Sequence, residues 1–172
     1  ARATLAADPE PSEALGLLPG AIATSSSSRA VDSLLLRYGD AQRKTVACDG
    51  AVSAYQALLR RTRDQRLRAA GQDGLADCAL LLGGDAIAAR DGAEAERWFQ
   101  VVLDLESEGD RAWIAQLGLG DARVLQGDGL GAAVAYQAVV SAGTVSDSLR
   151  GVATAKLNGL GAASEPPADG DE

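Results

Sequence analysis

The sequence predicts an all-α protein in which antiparallel helix pairs repeat along the chain and stack side by side. Apolar residues make up 47% of the 172 residues, but aromatic residues only 3%, and methionine is absent. Ala, Leu and Val therefore dominate the apolar set, which favours helices in close contact. A pattern of glycine, alanine and aromatic residues also recurs along the chain, and such recurrence is typical of repeat folds.

The N-terminal segment, residues 1–28, is predicted to be extended or poorly regular. Pro9, Pro11, Pro19 and a serine run at 25–28 interrupt regular structure there. An apolar stretch at residues 14–23 leaves two interpretations open. It is either part of a loosely ordered tail, or a segment that packs on this protein's own surface or on a partner.

Residues 29–160 are predicted to form the helical repeat domain. Each repeat has a glycine in its first helix, then an alanine and an aromatic residue four positions apart in its second helix. This spacing places the alanine and the ring on one helical face, so the neighbouring helix approaches at the alanine and the ring fills the space beyond it. The signature residues are Gly39, Ala51 and Tyr55, then Gly83, Ala95 and Phe99, then Gly120, Ala132 and Tyr136.

Short turns rich in glycine and aspartate are predicted between the two helices of each repeat, at residues 47–50, 90–92 and 126–129. Asp91 and Glu94 have the spacing of a capping box, which indicates a helix start. An insertion at residues 59–73 separates the first two repeats, and we expect it to lengthen the second helix of the first repeat.

This pattern resembles the tetratricopeptide repeat family. The resemblance implies a short right-handed α-solenoid of about three degenerate repeats, at about 32–65, 76–109 and 113–146, with a capping helix at 147–159 that covers the last apolar face. Residues 161–172 contain two prolines and four acidic residues and are predicted to be a disordered acidic tail.

The resemblance also implies a binding surface, because the first helices of such repeats line a concave groove that takes peptides. A mostly apolar groove suits a hydrophobic or helical segment of a partner, or this chain's own residues 14–23. The predicted groove residues are Leu36, Arg37, Arg43, Lys44, Leu80, Leu81, Ile87, Ile114, Leu117, Asp121 and Val124.

The function expected from these features is that of a non-catalytic scaffold, an accessory or assembly subunit of a larger protein complex. A small acidic repeat chaperone that holds an aggregation-prone client is the alternative. The partners are expected to be other proteins, and a membrane-protein partner is compatible with this expectation.

Residue inventory argues against an enzyme, a metal site or a cofactor. The chain has no histidine, which removes the commonest general base and metal ligand. Cys48 and Cys78 are too few for a disulfide framework and are predicted to be small buried residues. The acidic residues at 104–110 and the glycines at 127–131 are predicted to be turns between helices and not calcium or phosphate loops.

Charge is unevenly distributed along the chain. The net charge is −8, with +3 in residues 1–72 and −11 in residues 73–172, which argues against general nucleic-acid or membrane-surface binding. The only basic cluster consists of Arg60, Arg61, Arg63, Arg66 and Arg68. These arginines either cover apolar surface with their stems, or dock on an acidic partner or on the acidic half of this chain.

Two further features leave alternatives open. Trp98 and Trp113 are expected to pack between repeats, and one of them is the candidate for a partner anchor.

No apolar run is long enough to span a membrane. The sequence begins with Ala1 and not with Met, which favours a chain processed for export or for entry into an organelle.

Overall fold

The computed structural model describes residues 11–45 and 48–163, and in these ranges it contains eight α-helices and no strand. The predicted all-α class is thus confirmed. The helices are α1 (Pro11–Thr24), α2 (Ser28–Thr45), α3 (Cys48–Arg61), α4 (Gln65–Ala88), α5 (Gly92–Leu105), α6 (Asp110–Leu125), α7 (Gly129–Ser141) and α8 (Asp147–Ala163). None of the described helices is both long enough and apolar enough to cross a bilayer.

The chain forms two compact units, residues 1–82 and 83–172, and α4 contributes residues to both. In unit 1, α2 packs on α1 and on α3. In unit 2, α6 packs on α5 and on α7, while α8 packs on α7 and touches α6. Each unit therefore builds its own core from helices that follow one another in the sequence.

Helix α1 corrects the prediction that residues 1–28 lack regular structure, since residues 11–24 are helical and residues 1–10 lie outside the described ranges. Ala14 and Leu18 are four residues apart, so they share a face and are buried against Ala41 of α2. This packing offsets the backbone hydrogen bond that Pro19 cannot make, and Pro11 is tolerated in the first turn of a helix. The interpretation in which this segment packs on the protein's own surface matches the contacts of α1.

Aromatic rings are held between glycines of two neighbouring helices. In unit 2, a Cβ added at Gly83 of α4 would lie 2.7 Å from the ring of Phe99, and one added at Gly118 of α6 would lie 2.3 Å from it. In these helices glycine thus provides the space that a ring occupies, and not conformational freedom.

The same contact recurs in the other repeats. In unit 1, the ring of Tyr55 lies against Gly39 of α2 and Gly74 of α4, where an added Cβ would be 2.6 Å and 2.3 Å away. In unit 2, the ring of Tyr136 lies against Gly120, with a corresponding distance of 2.3 Å. The signature alanines Ala51, Ala95 and Ala132 are fully buried beside these rings.

Side-chain caps begin the later helices. The carboxylate of Asp91 accepts the backbone N–H of Glu94 at 3.0 Å, as its capping-box spacing predicts. The carboxylate of Asp128 accepts the N–H of Gly131 at 2.8 Å, after a turn in which Gly127 takes a φ of 78°. The first of the three turns was predicted at residues 47–50, but residues 48–50 belong to α3, and residue 47 lies outside the described ranges.

The insertion between the first two repeats lengthens α4 and not α3, contrary to the prediction. Helix α3 ends at Arg61, and α4 runs for 24 residues from Gln65. The break has a local cause, because Asp64 accepts the backbone N–H groups of Leu67 and Arg66 and so caps α4. These hydrogen bonds hold the pKa of the Asp64 carboxyl below its ordinary value.

Cys48 and Cys78 form a disulfide, with their Cα atoms 5.0 Å apart. Both residues are buried as predicted, and the sequence alone did not decide whether they are linked. The bond joins the first residue of α3 to the middle of α4 and lies wholly within unit 1.

Helix α8 extends beyond the predicted capping helix, which ended at residue 159. Ala153 is fully buried, and Leu149, Leu157 and Leu160 pack partly buried against the core of unit 2. The first three residues of the predicted acidic tail therefore belong to α8, and residues 164–172 lie outside the described ranges.

Candidate partner-binding surface

On α2, the predicted groove residues of unit 1 are only partly available. Leu36 and Arg37 are half-buried, and Lys44 is exposed near the end of the helix. Arg43 is half-buried and forms an ion pair with Asp77 of α4, with an N···O distance of 3.2 Å. Arg43 therefore links two helices of its own unit, and Lys44 is the exposed cation of this surface.

Helix α1 lies away from two of these α2 residues. It packs against Leu34, Tyr38 and Ala41. Successive helical residues turn by about 100°, so Leu36 and Arg43 lie on the opposite side of α2. At these two residues the predicted groove face is thus not covered by α1.

On α4, the predicted residues differ in exposure. Leu81 in unit 1 is 60% exposed, which is high for a large apolar side chain, while Leu80 is half-buried. Ile87, which belongs to unit 2, is half-buried as well. Leu81 is therefore the residue of this helix best placed to meet a partner.

On α6, Ile114 and Val124 are each 43% exposed and Asp121 is half-buried. At about 100° per residue, all three fall within one quarter of the helix circumference and form one face. Leu117 is only 8% exposed and packs with Tyr136 in the core of unit 2. Leu117 is thus a core residue and not part of an open groove.

Asp121 is held by two partners. Its Oδ1 accepts the hydroxyl of Tyr136 at 2.6 Å and the ammonium of Lys156 at 2.7 Å. The ammonium of Lys156 also lies 5.9 Å from the centroid of the Tyr136 ring, within the range of a cation–π contact. Burial, followed by the hydrogen bond to Asp121, raises the pKa of the Tyr136 phenol above its ordinary value.

An equivalent pair exists in unit 1, where the hydroxyl of Tyr55 donates to Asp40 at 2.7 Å. Each aspartate directly follows the signature glycine of its repeat. The second repeat has Phe99 instead, and glycine stands in the aspartate position at Gly84. The pairing could have been predicted from the sequence, because tyrosine occurs only in the two repeats that have an aspartate after the signature glycine. The sequence reasoning missed this correlation.

A second apolar surface, which sequence reasoning also missed, lies on α7. Leu130 is 80% exposed and Val134 is 60% exposed. Val134 also borders a surface cavity of about 340 Å³ that Leu157 of α8 helps to line. We call Leu130 and Val134 the α7 patch.

Alignment of the three signature aromatics shows that the α7 patch is specific to the third repeat. The position of Val134 is Arg97 in the second repeat and Ser53 in the first. Solvent-facing helix positions are normally polar, so two neighbouring large apolar residues there distinguish the third repeat from the other two.

The tryptophans lie in unit 2, on α5 and α6. Trp98 is half-buried, and Trp113 packs partly buried against the core of that unit. The indole Nε1 of Trp113 is buried and has no hydrogen-bond partner among the described residues. Trp113 thus contributes to the core of unit 2.

The described part of the chain brings no three His, Cys, Asp or Glu side chains together in a way that could hold a metal ion. What its exposed faces offer is apolar contact area on α4, α6 and α7, with isolated charges beside it. Comparison with known proteins adds nothing to this description, since no family model, curated protein or solved structure matches the chain.

Proposed function

We propose that this chain is a non-catalytic scaffold of the tetratricopeptide-repeat type that binds a partner protein as an accessory or assembly subunit of a larger complex. The observation that carries the proposal is the exposed apolar face of α6. Ile114 and Val124 each keep 43% of their surface exposed beside a core that already buries smaller residues. Large apolar side chains on one solvent-facing helix face are typical of protein–protein contact.

The proposed repeat architecture, a short right-handed solenoid, is supported by the recurrence of one contact. Tyr55, Phe99 and Tyr136 each lie against the glycine sixteen residues earlier, as the resemblance requires. In such an array the first helix of each repeat faces the side that takes a partner segment, and α6 is the first helix of its repeat.

Substitution of the α6 face tests the function. We expect a tagged Ile114→Ser/Val124→Ser variant to lose a partner that co-purifies with the wild-type protein, because each lost apolar contact weakens binding by about 1–2 kcal/mol. Quantitative mass spectrometry of the co-purified proteins measures the loss, and far-UV circular dichroism checks that the variant keeps its helix content.

The α7 patch supplies the matched control. The variant Leu130→Ser/Val134→Ser removes similar apolar area from another helix of the same unit, and it should retain the partner. Normal recovery of the partner by the α6 variant, or equal loss with both variants, would contradict a binding site on α6.

The disulfide supports a location for the proposed assembly. Disulfides form and persist in oxidising compartments and are rare in reducing ones. We therefore propose that this chain folds in an exported or otherwise oxidising environment.

A further inference from the structure

Six arginines lie exposed around the point where α2 and α4 begin and α3 ends, all in unit 1. They come from three helices and the loop between α3 and α4. We call them the arginine patch: Arg29, Arg60, Arg61, Arg63, Arg66 and Arg68.

Among the described residues, two carboxylates form ion pairs with these six guanidinium groups. Asp32 pairs with Arg61 at 2.8 Å, and Asp64 pairs with Arg29 at 3.3 Å. The guanidinium groups of Arg60, Arg63 and Arg66 have no ionic or hydrogen-bonding partner within the described ranges. The patch therefore carries an excess of positive charge on a chain whose net charge is −8.

A cavity of about 500 Å³ opens within the patch. Its lining combines donors and acceptors, namely Ser28, Arg29, Asp32, Arg61, Arg63 and Asp64. Asp32 is only 6% exposed and is already paired with Arg61, whose Nε lies 2.8 Å from its Oδ1. The groups that a ligand in the cavity can reach are therefore the exposed guanidinium groups of Arg29 and Arg63.

We propose that the arginine patch and its cavity bind an acidic peptide segment of a partner protein. Carboxylates of the segment are received by the unpaired guanidinium groups, whose planar fork matches a carboxylate in two parallel hydrogen bonds. The inference rests on the proposed protein-binding function but uses a surface whose residues are all distinct from those of the α6 face.

Polymers of phosphate or sulfate fit this surface less well than a peptide. They bring acceptors only, and they would place them beside Asp32 and Asp64. Nucleic acid also favours aromatic side chains on which bases stack, and the arginine patch contains none. An acidic peptide carries its carboxylates on separate residues, so it can pair with the guanidinium groups of Arg63 and Arg66 without crowding negative charge against these two aspartates.

Fluorescence anisotropy of a labelled peptide of alternating Glu and Gly residues, titrated with the full oxidised chain, tests the proposal. We expect saturable binding that weakens between about 50 and about 300 mM NaCl, since salt screens exposed charges. The variant Arg63→Glu/Arg66→Glu should weaken it at least about tenfold. The control Arg90→Glu/Arg97→Glu makes the same charge change at exposed positions of unit 2 and should leave binding within about twofold.

Heparin oligosaccharide is the competing probe. Weak heparin binding beside patch-dependent peptide binding supports the proposal. The proposal is overturned if the peptide does not bind, or if the control variant loses as much peptide affinity as the patch variant. It is also overturned if heparin binds more tightly than the peptide through the same arginines. The neutral variant Arg63→Gln/Arg66→Gln repeats the test if the charge reversal alters the circular dichroism. Loss of the partner by the α6 variant is measured in a separate co-purification experiment. The proposed function and the peptide site at the arginine patch can therefore each fail without the other.

Discussion

The hydroxyls of Tyr55 and Tyr136 donate to Asp40 and Asp121 at 2.7 Å and 2.6 Å, in pairs that occupy the same positions of two repeats. Both rings are almost fully buried. A buried phenol with a carboxylate acceptor must stay neutral, because ionisation would remove the donor and place two negative charges side by side. Burial, and next the hydrogen bond to the aspartate, thus raise the pKa of both phenols.

These raised pKa values predict that the protein loses stability in alkali. The ordinary pKa of tyrosine is about 10, so above that pH the unfolded chain releases both protons while the folded chain keeps them. The contribution is fully present below about pH 10 and is lost as the pH rises toward the folded pKa values, by up to about 1.4 kcal/mol per pH unit for each tyrosine. Urea unfolding between about pH 9 and about pH 11 measures this loss.

The variant Tyr55→Phe/Tyr136→Phe is the control for that measurement. Phe99 is the natural precedent, since the second repeat packs a phenylalanine ring at this position. The variant should be less stable at neutral pH by about 1 kcal/mol for each lost hydrogen bond, and its stability should fall less steeply in alkali. An equally steep fall would assign the alkaline loss to other groups.

At the scale of the helices, glycine has two opposite effects. In a helix interior it costs about 1 kcal/mol relative to alanine, because the unfolded chain loses more freedom on folding. At Gly83 and Gly118 the missing side chain admits the ring of Phe99, which is held from both sides and cannot move away. At Gly84, next in α4, nothing lies within 4 Å of an added Cβ.

The neighbouring glycines Gly83 and Gly84 should therefore respond to alanine with opposite signs. Gly84→Ala is expected to stabilise the protein by about 0.5–1 kcal/mol. Gly83→Ala is expected to destabilise it by about 1–3 kcal/mol, because a Cβ 2.7 Å from the trapped ring forces the two helices apart. The urea concentration at the midpoint of unfolding, compared with that of the wild type, measures both effects. A shift in the same direction for both variants would refute the packing role of Gly83.

Local patterns predicted the later helices better than the earlier ones. The capping spacing of Asp91 and the turn at 126–129 mark real helix ends, because their side-chain and glycine geometry acts within a few residues. Helix α1 was not predicted, since its two prolines disfavour a helix and only burial of Ala14 and Leu18 against α2 stabilises one. The break before α4 depends on the cap at Asp64, which pattern reasoning overlooked.

Exposure of the predicted groove residues was harder to predict than the helices. The repeat register implied by the resemblance put Leu117 in the groove with Ile114 and Val124, although Leu117 is buried. Leu117 is covered by Tyr136 and the core of unit 2, which a pattern within α6 does not show. Leu130 and Val134 were missed because they are unusual only in comparison with the other repeats.

At the scale of the whole molecule, the two compact units are stabilised by different means. Unit 1 contains the disulfide between Cys48 and Cys78, which are 30 residues apart in the sequence. Unit 2 contains no cysteine and is held by packing around the rings of Phe99 and Tyr136. A covalent link that closes a loop stabilises mainly by restricting the unfolded chain.

Removal of the disulfide should consequently loosen one unit more than the other. We expect Cys48→Ala/Cys78→Ala to cost unit 1 about 3–4 kcal/mol, given the length of the closed loop. Hydrogen exchange followed by mass spectrometry should show faster exchange in α2 and α3 and little change in α6 and α7. Uniform acceleration along the chain would instead mean that the two units unfold together.

Trp98 and Trp113 are the only tryptophans of the chain, and both lie in unit 2. Intrinsic emission excited at the red edge of the absorption band therefore originates in the half of the molecule that has no cysteine. If circular dichroism shows a loss of helix while the wavelength of the tryptophan emission maximum stays the same, unit 1 has unfolded and unit 2 has not. Tryptophan fluorescence thus reports on the folding of unit 2 separately from that of unit 1.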